Sequence, residues 1–409
     1  MNIQSGTFYW QTTYPDAPSY PALSKNLQCD VLIVGGGICA AQSAYYLRNS
    51  GLHVVLIEKN TIGSGSTSSN TALIQYLGER DIQTLVNAFG ERYIQRHLQL
   101  LAQSIDDMEE AAENVSLNVD FMRRDTLYGA STTEDVEKLK IEYELLKKFG
   151  MNVDYLTQEQ VESKYPFSRP AAIYSYRDGE VNPFKYTHGL IADAREKGMK
   201  VFEQTKMTGQ HFDPDKDRMI ISTSTGYDIH AKHVIVATGY EATEVHQDKK
   251  LNFVSTYTIT TSPVADLSSW YNRTLIWETA RPYFYMRTTV DNRIVIGGLD
   301  ENTAHPDERD NMLPHKKEKL LQEIKDRFPE VDVKVDFALA AFYGGTIDGI
   351  PMIGKYKELP NTYFLFAFGD NGSVYGQTLA KLIVEEIVEG KSEDLALYLQ
   401  DRPKKNSFH

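Results

Sequence analysis

Three consecutive glycines, Gly35 to Gly37, follow the apolar run Val31–Val34, and the carboxylate Glu58 stands 23 residues beyond Gly35. Gly35, Gly37 and Ala40 occupy the positions of the pattern G-x-G-x-x-G/A, whose chemistry is to hold a dinucleotide on backbone N–H groups. Gly35 permits the tight turn, Gly37 lets a pyrophosphate reach the positive end of the following helix, and Ala40 permits close packing. Glu58 would accept hydrogen bonds from an adenosine ribose and repel a 2′-phosphate, which disfavours NADP. A lone glycine triplet also suits a strand-to-helix turn in any α/β protein. Here strand, helix, second strand and acidic terminus stand in register, so the spacing favours a dinucleotide, with FAD and NAD both open.

Two further stretches are rich in hydrogen-bond donors. The first, GSGSTSSNT (Gly63–Thr71), directly follows the acidic strand end; it reads as a flexible linker or, from its place, as a ligand-contacting loop. The second, GDNGS (Gly369–Ser373), precedes a helix reaching to about Val388. Its N–H groups and the positive helix end could face a developing anion, or Asp370 or Asn371 could simply cap a surface helix.

The elements that must position these residues read as follows. Val31–Val34, Ile38–Asn49 and Val54–Ile57 give the strand–helix–strand order of a parallel sheet. Residues 80–114 and 134–149 carry apolar residues at helical spacing, Phe184–Lys197 reads as a helix, and Val201–Glu203 as a strand. His233–Tyr240 reads as a buried strand ending in a glycine turn; residues 253–299 alternate as antiparallel strands do, and 314–328 suggest a helix. Nucleotide-type elements thus occur at both ends of the chain. The expected fold class is α/β (α+β overall), a Rossmann-like dinucleotide-binding domain with an inserted substrate domain of antiparallel sheet plus helices. The boundaries drawn are 1–27 for an N-terminal arm, 28–79, 174–245 and 336–400 for the nucleotide domain, and 80–173 and 246–335 for the substrate domain. Trp10 and Tyr14 in the arm read equally as anchors or bystanders.

Bulk properties narrow the partners. Lys and Arg number 43 against 56 Asp and Glu, a net charge of −13, which opposes nucleic acid and anionic lipid and favours a small-molecule partner. No segment approaches the ~18 apolar residues of a membrane span, and the N-terminus lacks the basic-then-apolar pattern of a secretion signal. The two cysteines, Cys29 and Cys39, suit a reducing compartment better than a disulfide framework, and the expected location is cytoplasmic. With so few cysteines and no clustered histidines, no metal site is expected.

Cys29–Leu73, HVIVATGY, TIDGIPMIG and FAFGDNGSVYG, taken in order, resemble the D-amino-acid oxidase superfamily of FAD-dependent oxidoreductases. The likeness is greatest to its glycine oxidase, sarcosine oxidase and γ-glutamylputrescine oxidase group. The resemblance implies bound FAD. It places Ile38 and Cys39 at the pyrophosphate turn, Glu58 and Lys59 at the adenosine side, and Ser66, Thr67, Asn70, Thr71, Ala72 and Leu73 at the flavin end of the loop. Met207 matches a position whose backbone meets adenine, and Gly239 ends the second nucleotide-contacting strand. Phe368, Gly369, Asp370, Asn371, Gly372, Ser373 and Val374 match the turn against the isoalloxazine. Asp370 departs from the uncharged or basic residue common there, and an anion beside the ring would oppose reduction, so its carboxylate is expected to point away. No His lies between Glu58 and Gly78 and no Cys follows Cys39, so the FAD is expected to be non-covalent.

The resemblance further implies oxidation of an amine or amino acid by hydride transfer to flavin N5, which needs orientation of a C–H bond and a neutral amine rather than a strong base. Amino-acid-oxidising relatives commonly hold the substrate carboxylate with an arginine just before DGxPxIG; here that position is Tyr343. A phenol does not replace a bidentate guanidinium contact. Arg287 could supply the charge, although an arginine in an alternating strand is commonly solvated. Tyr257, Tyr283 and Tyr285 could line the pocket, or pack in the core as most of 25 tyrosines must. Tyr257, Arg287 and Tyr343 are taken as candidate substrate contacts, and no catalytic residue is assigned. The electron acceptor is dioxygen or an electron carrier. An FAD-dependent 2-hydroxy acid dehydrogenase, a non-catalytic FAD scaffold and a tRNA-modifying module are the alternatives, the last opposed by the acidic charge.

Overall fold

A computed structural model describes residues 2–78, 80–246 and 250–402. The stretch Leu27–Val34 is the centre of a mostly parallel sheet, pairing with Val54–Ile57 on one side and Asp228–Val236 on the other. Lys200–Phe202 and Thr362–Phe366 extend it in parallel, and Met352–Gly354 closes one edge antiparallel. Both faces of the sheet are apolar. Val31 and Ile33 face the helix side, while Leu32 and Val34 join a second cluster with Val234, Val236 and Phe366. Burial on both faces is what a continuous Val/Ile/Leu run without polar alternation encodes. The helix Ile38–Leu47 packs between Pro183–Glu196 and Gly372–Glu389, joining elements from three distant parts of the chain. The contact with Gly372–Glu389 is close: a Cβ on Gly376 would lie 2.6 Å from the Cys39 sulfur.

A second, ten-stranded sheet is chiefly antiparallel. Its order is Gln4–Gly6, Val335–Thr346, Leu251–Thr261, Ile294–Glu301, Phe284–Thr288, Leu275–Glu278, Met122–Gly129, Ala171–Glu180 and Leu73–Ile74, with Val153–Thr157 paired to Ala171–Glu180. The fold is a mixed α/β architecture with one mostly parallel and one mostly antiparallel sheet. The boundaries drawn at 174 and 336 fall inside strands of this second sheet, Ala171–Glu180 and Val335–Thr346, and the one at 79 lies outside the described residues. Strand pairing here is non-local, so a cut placed by local pattern does not see it.

Helical segments follow local chemistry. Residues 82–114 form two helices, Ile82–Phe89 and Glu91–Asn114, because Gly90 between them takes φ +94°, a conformation that favours glycine. The expected helix at 314–328 begins instead at Pro306, with Asp307 and Glu308 in its first turn, and runs through Pro314. Pro306 stands where proline is tolerated at a helix start. The arm is tied down rather than loose: Gln4–Gly6 pairs with Leu339–Ala341, and Tyr9–Thr12 is a short helix with Tyr9 and Trp10 buried. Both cysteines are free thiols, Cys29 within the central strand and Cys39 at the helix start. Among the described residues no helix is long and apolar enough to cross a membrane, and no group of three metal-ligating side chains occurs.

Candidate active site

A cavity of about 820 Å³ runs between the two sheets, within the ~300–1,000 Å³ range of cofactor and ligand sites. Its middle is the glycine turn. Gly35 takes φ +117°, and a Cβ there would lie 2.4 Å from the Ala237 carbonyl oxygen, so the turn itself requires glycine. At Gly37 a Cβ would meet only the Thr67 hydroxyl, at 3.2 Å, so this position faces the cavity. Gly37 caps the helix Ile38–Leu47 without a side-chain cap bond, and Thr67 Oγ1 accepts the Ile38 N–H at 3.0 Å. Backbone donors at the positive helix end therefore border the cavity, as an anion site requires.

At one end stand Glu58, Lys59 and Met207. Glu58 Oε2 accepts the Gly36 N–H at 2.7 Å and Oε1 the Asn60 N–H at 2.8 Å. Each oxygen keeps lone-pair capacity for a ribose hydroxyl. Burial raises the Glu58 pKa above the usual carboxylate value, opposed by these two N–H bonds. Lys59 Nζ is held by Glu241 at 2.6 Å. Gly239 lines the same wall with φ +57°.

Toward the other end the loop Ser66–Leu73 forms one side. Ser66, Thr67, Asn70, Thr71 and Leu73 line the cavity; Ala72 does not, and with φ +54° donates its N–H to Asn70 Oδ1 at 2.7 Å. Asn70 also donates from Nδ2 to Ser373 Oγ at 2.8 Å, tying this loop to the C-terminal helix. Opposite, Phe368, Gly369, Asp370, Asn371 and Gly372 line the cavity, whereas Val374 is in the core and Ser373 serves as the Asn70 partner. Asn371 is the first residue before the helix but caps nothing; its Nδ2 donates to the Leu77 carbonyl at 2.6 Å. Asp370 Oδ1 accepts from the Asn371 N–H and the Tyr375 hydroxyl, both at 3.1 Å. Two positive helix ends thus border one cavity.

The three substrate candidates separate. Tyr343 lines the cavity. Tyr257 is fully buried on the opposite face of its strand, with the Lys316 ammonium 5.2 Å from its ring, while its neighbours Thr256 and Thr258 take the cavity side. The strand alternates, and its cavity face carries Thr256 and Thr258 while Tyr257 packs in the core. Arg287 is neither solvated nor in the cavity: it is buried, donates to the Thr71 oxygen at 2.6 Å and the Val181 oxygen at 2.8 Å, and pairs with Glu180 at 3.6 Å. Its guanidinium braces the loop from behind.

Tyr283, Tyr285 and Trp277 complete the aromatic wall. Tyr285 lies against Gly297, where a Cβ would come within 2.8 Å of its ring. Burial raises the Tyr285 pKa, partly offset by hydrogen bonding to Thr256 and Thr71. Trp277, Thr256, Thr258 and Gln75 were not picked out from sequence; correct strand parity would have found the two threonines. A second cavity of about 810 Å³ adjoins the first, sharing Tyr283, Tyr343, Phe368, Gly369 and Asp370.

The sequence pattern of the FAD dependent oxidoreductase family matches residues 30–386. The chain belongs to that family. This FAD-dependent oxidoreductase is 24% identical over 407 residues to the γ-glutamylputrescine oxidoreductase of Escherichia coli, covering 96% of this chain and 91% of that one. A 26% identity to a putative Rieske 2Fe-2S protein of Bacillus subtilis covers 48% of this chain and only 38% of that protein. Its structure is similar to that of glycine oxidase from Geobacillus kaustophilus, with a TM-score of 0.74 and 20% identity over 92% of this chain and all of the other. The residues present fit FAD: the glycine turn opens onto the cavity, Glu58 retains acceptor capacity, and the buried Thr238 Oγ1 on the wall has no partner.

Proposed function

We propose that this flavoenzyme oxidises the C–N bond of a small amine or amino acid, the imine product then being hydrolysed by water. The observation that carries the reading is the continuity of the cavity from Glu58 through the glycine turn to a compartment walled by Trp277, Tyr283, Tyr285 and Tyr343. The names of the full-length relative from Escherichia coli and the glycine oxidase structure support an amine or amino acid as substrate.

FAD, when bound, supplies a hydride-accepting N5. The chain's own part is orientation and environment. Gly37, Ile38 and Cys39 would hold the pyrophosphate, and Glu58 the ribose. The helix end at Asn371–Gly372 would favour negative charge on a flavin held in this cavity. Burial in this compartment excludes water, and the loss of solvation favours the neutral form of the substrate amine. Proximity then does most of the work, and no side chain need remove the α-proton as a strong base. FAD would be held without a covalent bond, with dioxygen or an electron carrier as the acceptor. The two unpaired cysteines support a reducing, cytoplasmic setting.

Anaerobic mixing of the FAD-loaded protein with amines, amino acids and 2-hydroxy acids tests the proposal. Amines or amino acids should bleach the flavin absorbance and hydroxy acids should not. Bleaching by hydroxy acids alone would make it a 2-hydroxy acid dehydrogenase, and bleaching by none would make it a scaffold.

A further inference from the structure

The helix Val136–Lys148 buries Leu139, Glu142 and Leu146. These stand at i, i+3 and i+7, the spacing of an apolar stripe, so a carboxyl group fills a place where a hydrocarbon side chain would be ordinary. Glu142 is 5% exposed, and glutamate is rarely buried to that degree unless paired. Among the described residues no ion pair and no side-chain hydrogen bond holds it; its polar contact is the Ile82 N–H. The group is not sealed in. Glu142 lines the second cavity, and its carboxyl oxygens keep accessible surface there.

That cavity continues the aromatic compartment. Tyr283, Tyr343, Phe368, Gly369 and Asp370 line both. Tyr128, on the second cavity, stacks at 3.8 Å on Trp277, on the first, so one aromatic pair forms part of the partition. Leu139, Ile141 and Val254 add apolar surface that suits an alkyl chain.

The charges around this cavity are unequal. Asp81, Asp135, Asp300 and Asp370 join Glu142 on its lining, against Arg80, Lys138 and Arg281. Arg80 donates to the Ile347 carbonyl, and Arg281 to those of Glu278, Thr279 and Ala280. Facing Glu142 are Asp81 from the start of Ile82–Phe89, Arg281 from beyond Leu275–Glu278, and Tyr128 from Met122–Gly129; Lys138 lies one turn earlier on its own helix. Asp81 acts on Glu142 more strongly than Arg281 does. The field at this carboxyl therefore favours a cation.

We propose that the second cavity receives the far end of the substrate and that Glu142 binds a second ammonium group there, so that the oxidised amine is one end of an α,ω-diamine or longer polyamine. This rests on the amine-oxidation reading for the reacting end but not for the cation site. Glu142 pairs only when ionised, and in the empty site burial and Asp81 hold its pKa at about 8. An alkylammonium keeps its charge up to ~10, so binding of the second ammonium expels the Glu142 proton at neutral pH and tightens as pH rises through about 8.

The test uses the FAD-loaded protein with its flavin photoreduced, a state in which amines bind without being oxidised. 1,3-Diaminopropane through 1,6-diaminohexane are titrated anaerobically by calorimetry, each against the n-alkylamine of the same length. At pH 8.5 the best diamine should bind on the order of tenfold more tightly than its monoamine, and this ratio should shrink at pH 6.5. Glu142→Gln should abolish the ratio while leaving the monoamine Kd and the FAD Kd unchanged, and Glu142→Asp should retain part of it. Equal binding of diamines and monoamines to wild type, or a ratio that survives Glu142→Gln, overturns the assignment. Should Glu142→Gln not fold, the wild-type pH series decides: a ratio that grows from pH 6.5 to 8.5 supports the site, and a flat one overturns it. With oxidised flavin, the same diamine should bleach the absorbance at lower concentration than its monoamine. If no amine bleaches the flavin while the binding ratio stands, the amine-oxidation reading fails and the cation site is retained.

Discussion

Replacing Trp10 by phenylalanine should weaken FAD binding although Trp10 lies 25 residues before the glycine turn. Its indole N–H donates to the Asn70 carbonyl at 2.6 Å. Asn70 in turn holds the Ala72 N–H and Ser373 Oγ, and the Arg287 guanidinium that holds Thr71 lies 4.9 Å over the Trp10 ring. Phenylalanine keeps most of the ring packing and removes the donor, leaving a part-buried carbonyl without it. Such a loss costs ~1–3 kcal/mol, and each ~1.4 kcal/mol is tenfold in Kd. Expressed in full in cofactor binding, that penalty raises the FAD Kd by ~5- to ~150-fold. The assay is paired: quenching of flavin fluorescence for FAD Kd, and thermal unfolding of the FAD-free protein. A raised Kd with little change in the FAD-free melting temperature is expected. A lowered melting temperature with an unchanged Kd would refute it, because the arm would then be a fold-stabilising strand with no share in the cofactor site.

Two further predictions follow from buried and cavity-lining groups. Glu142 is buried beside the second cavity, and burial together with the charge of Asp81 raises its pKa to about 8 from an unfolded value near 4.5. The folded state therefore holds a proton that the unfolded chain releases across that window, so this contribution to stability is fully present below about 4.5 and lost as pH rises through about 8. Glu142→Gln should flatten the decline in melting temperature between these limits, and a decline unaltered by the substitution would show that Glu142 is not its source. Tyr343→Arg would place a guanidinium at the wall shared by both cavities, and should shift anaerobic flavin reduction toward simple α-amino acids over plain amines by on the order of tenfold; equal rates on the two classes would mean that Tyr343 does not face the substrate.

How far the site was legible depended on whether its contacts are local. The turn Gly35–Gly37, the helix start and Glu58 lie within one strand–helix–strand unit, where glycine conformation, apolar runs and a spaced carboxylate constrain one another. The loop Gly63–Thr71 and the turn before Gly372 were readable for the same reason: each directly adjoins an element whose period is plain. The antiparallel wall was not. Tyr257 and Thr256 are neighbours in an alternating strand, and choosing the wrong face exchanges a core tyrosine for a cavity threonine. Arg287 shows a second limit, since its strand gives no sign that a loop more than 200 residues earlier supplies the carbonyl it binds.

The arm carries that argument to the cofactor itself. Gln4–Gly6 pairs with Leu339–Ala341, Gln4 Nε2 donates to the Ser64 oxygen at 2.9 Å, and Asn2, Ile3 and Gln4 line the cavity that the glycine turn borders. No period in residues 2–26 encodes this, because each contact is with an element far along the chain. An aperiodic Tyr- and Pro-rich segment has no amphipathic face of its own to bury, so its few aromatic and amide side chains must be spent on specific partners. In this enzyme Gln4 and Trp10 are spent on the Ser64 and Asn70 carbonyls of the loop beside the glycine turn, and Tyr9 on the Asp291 carboxylate.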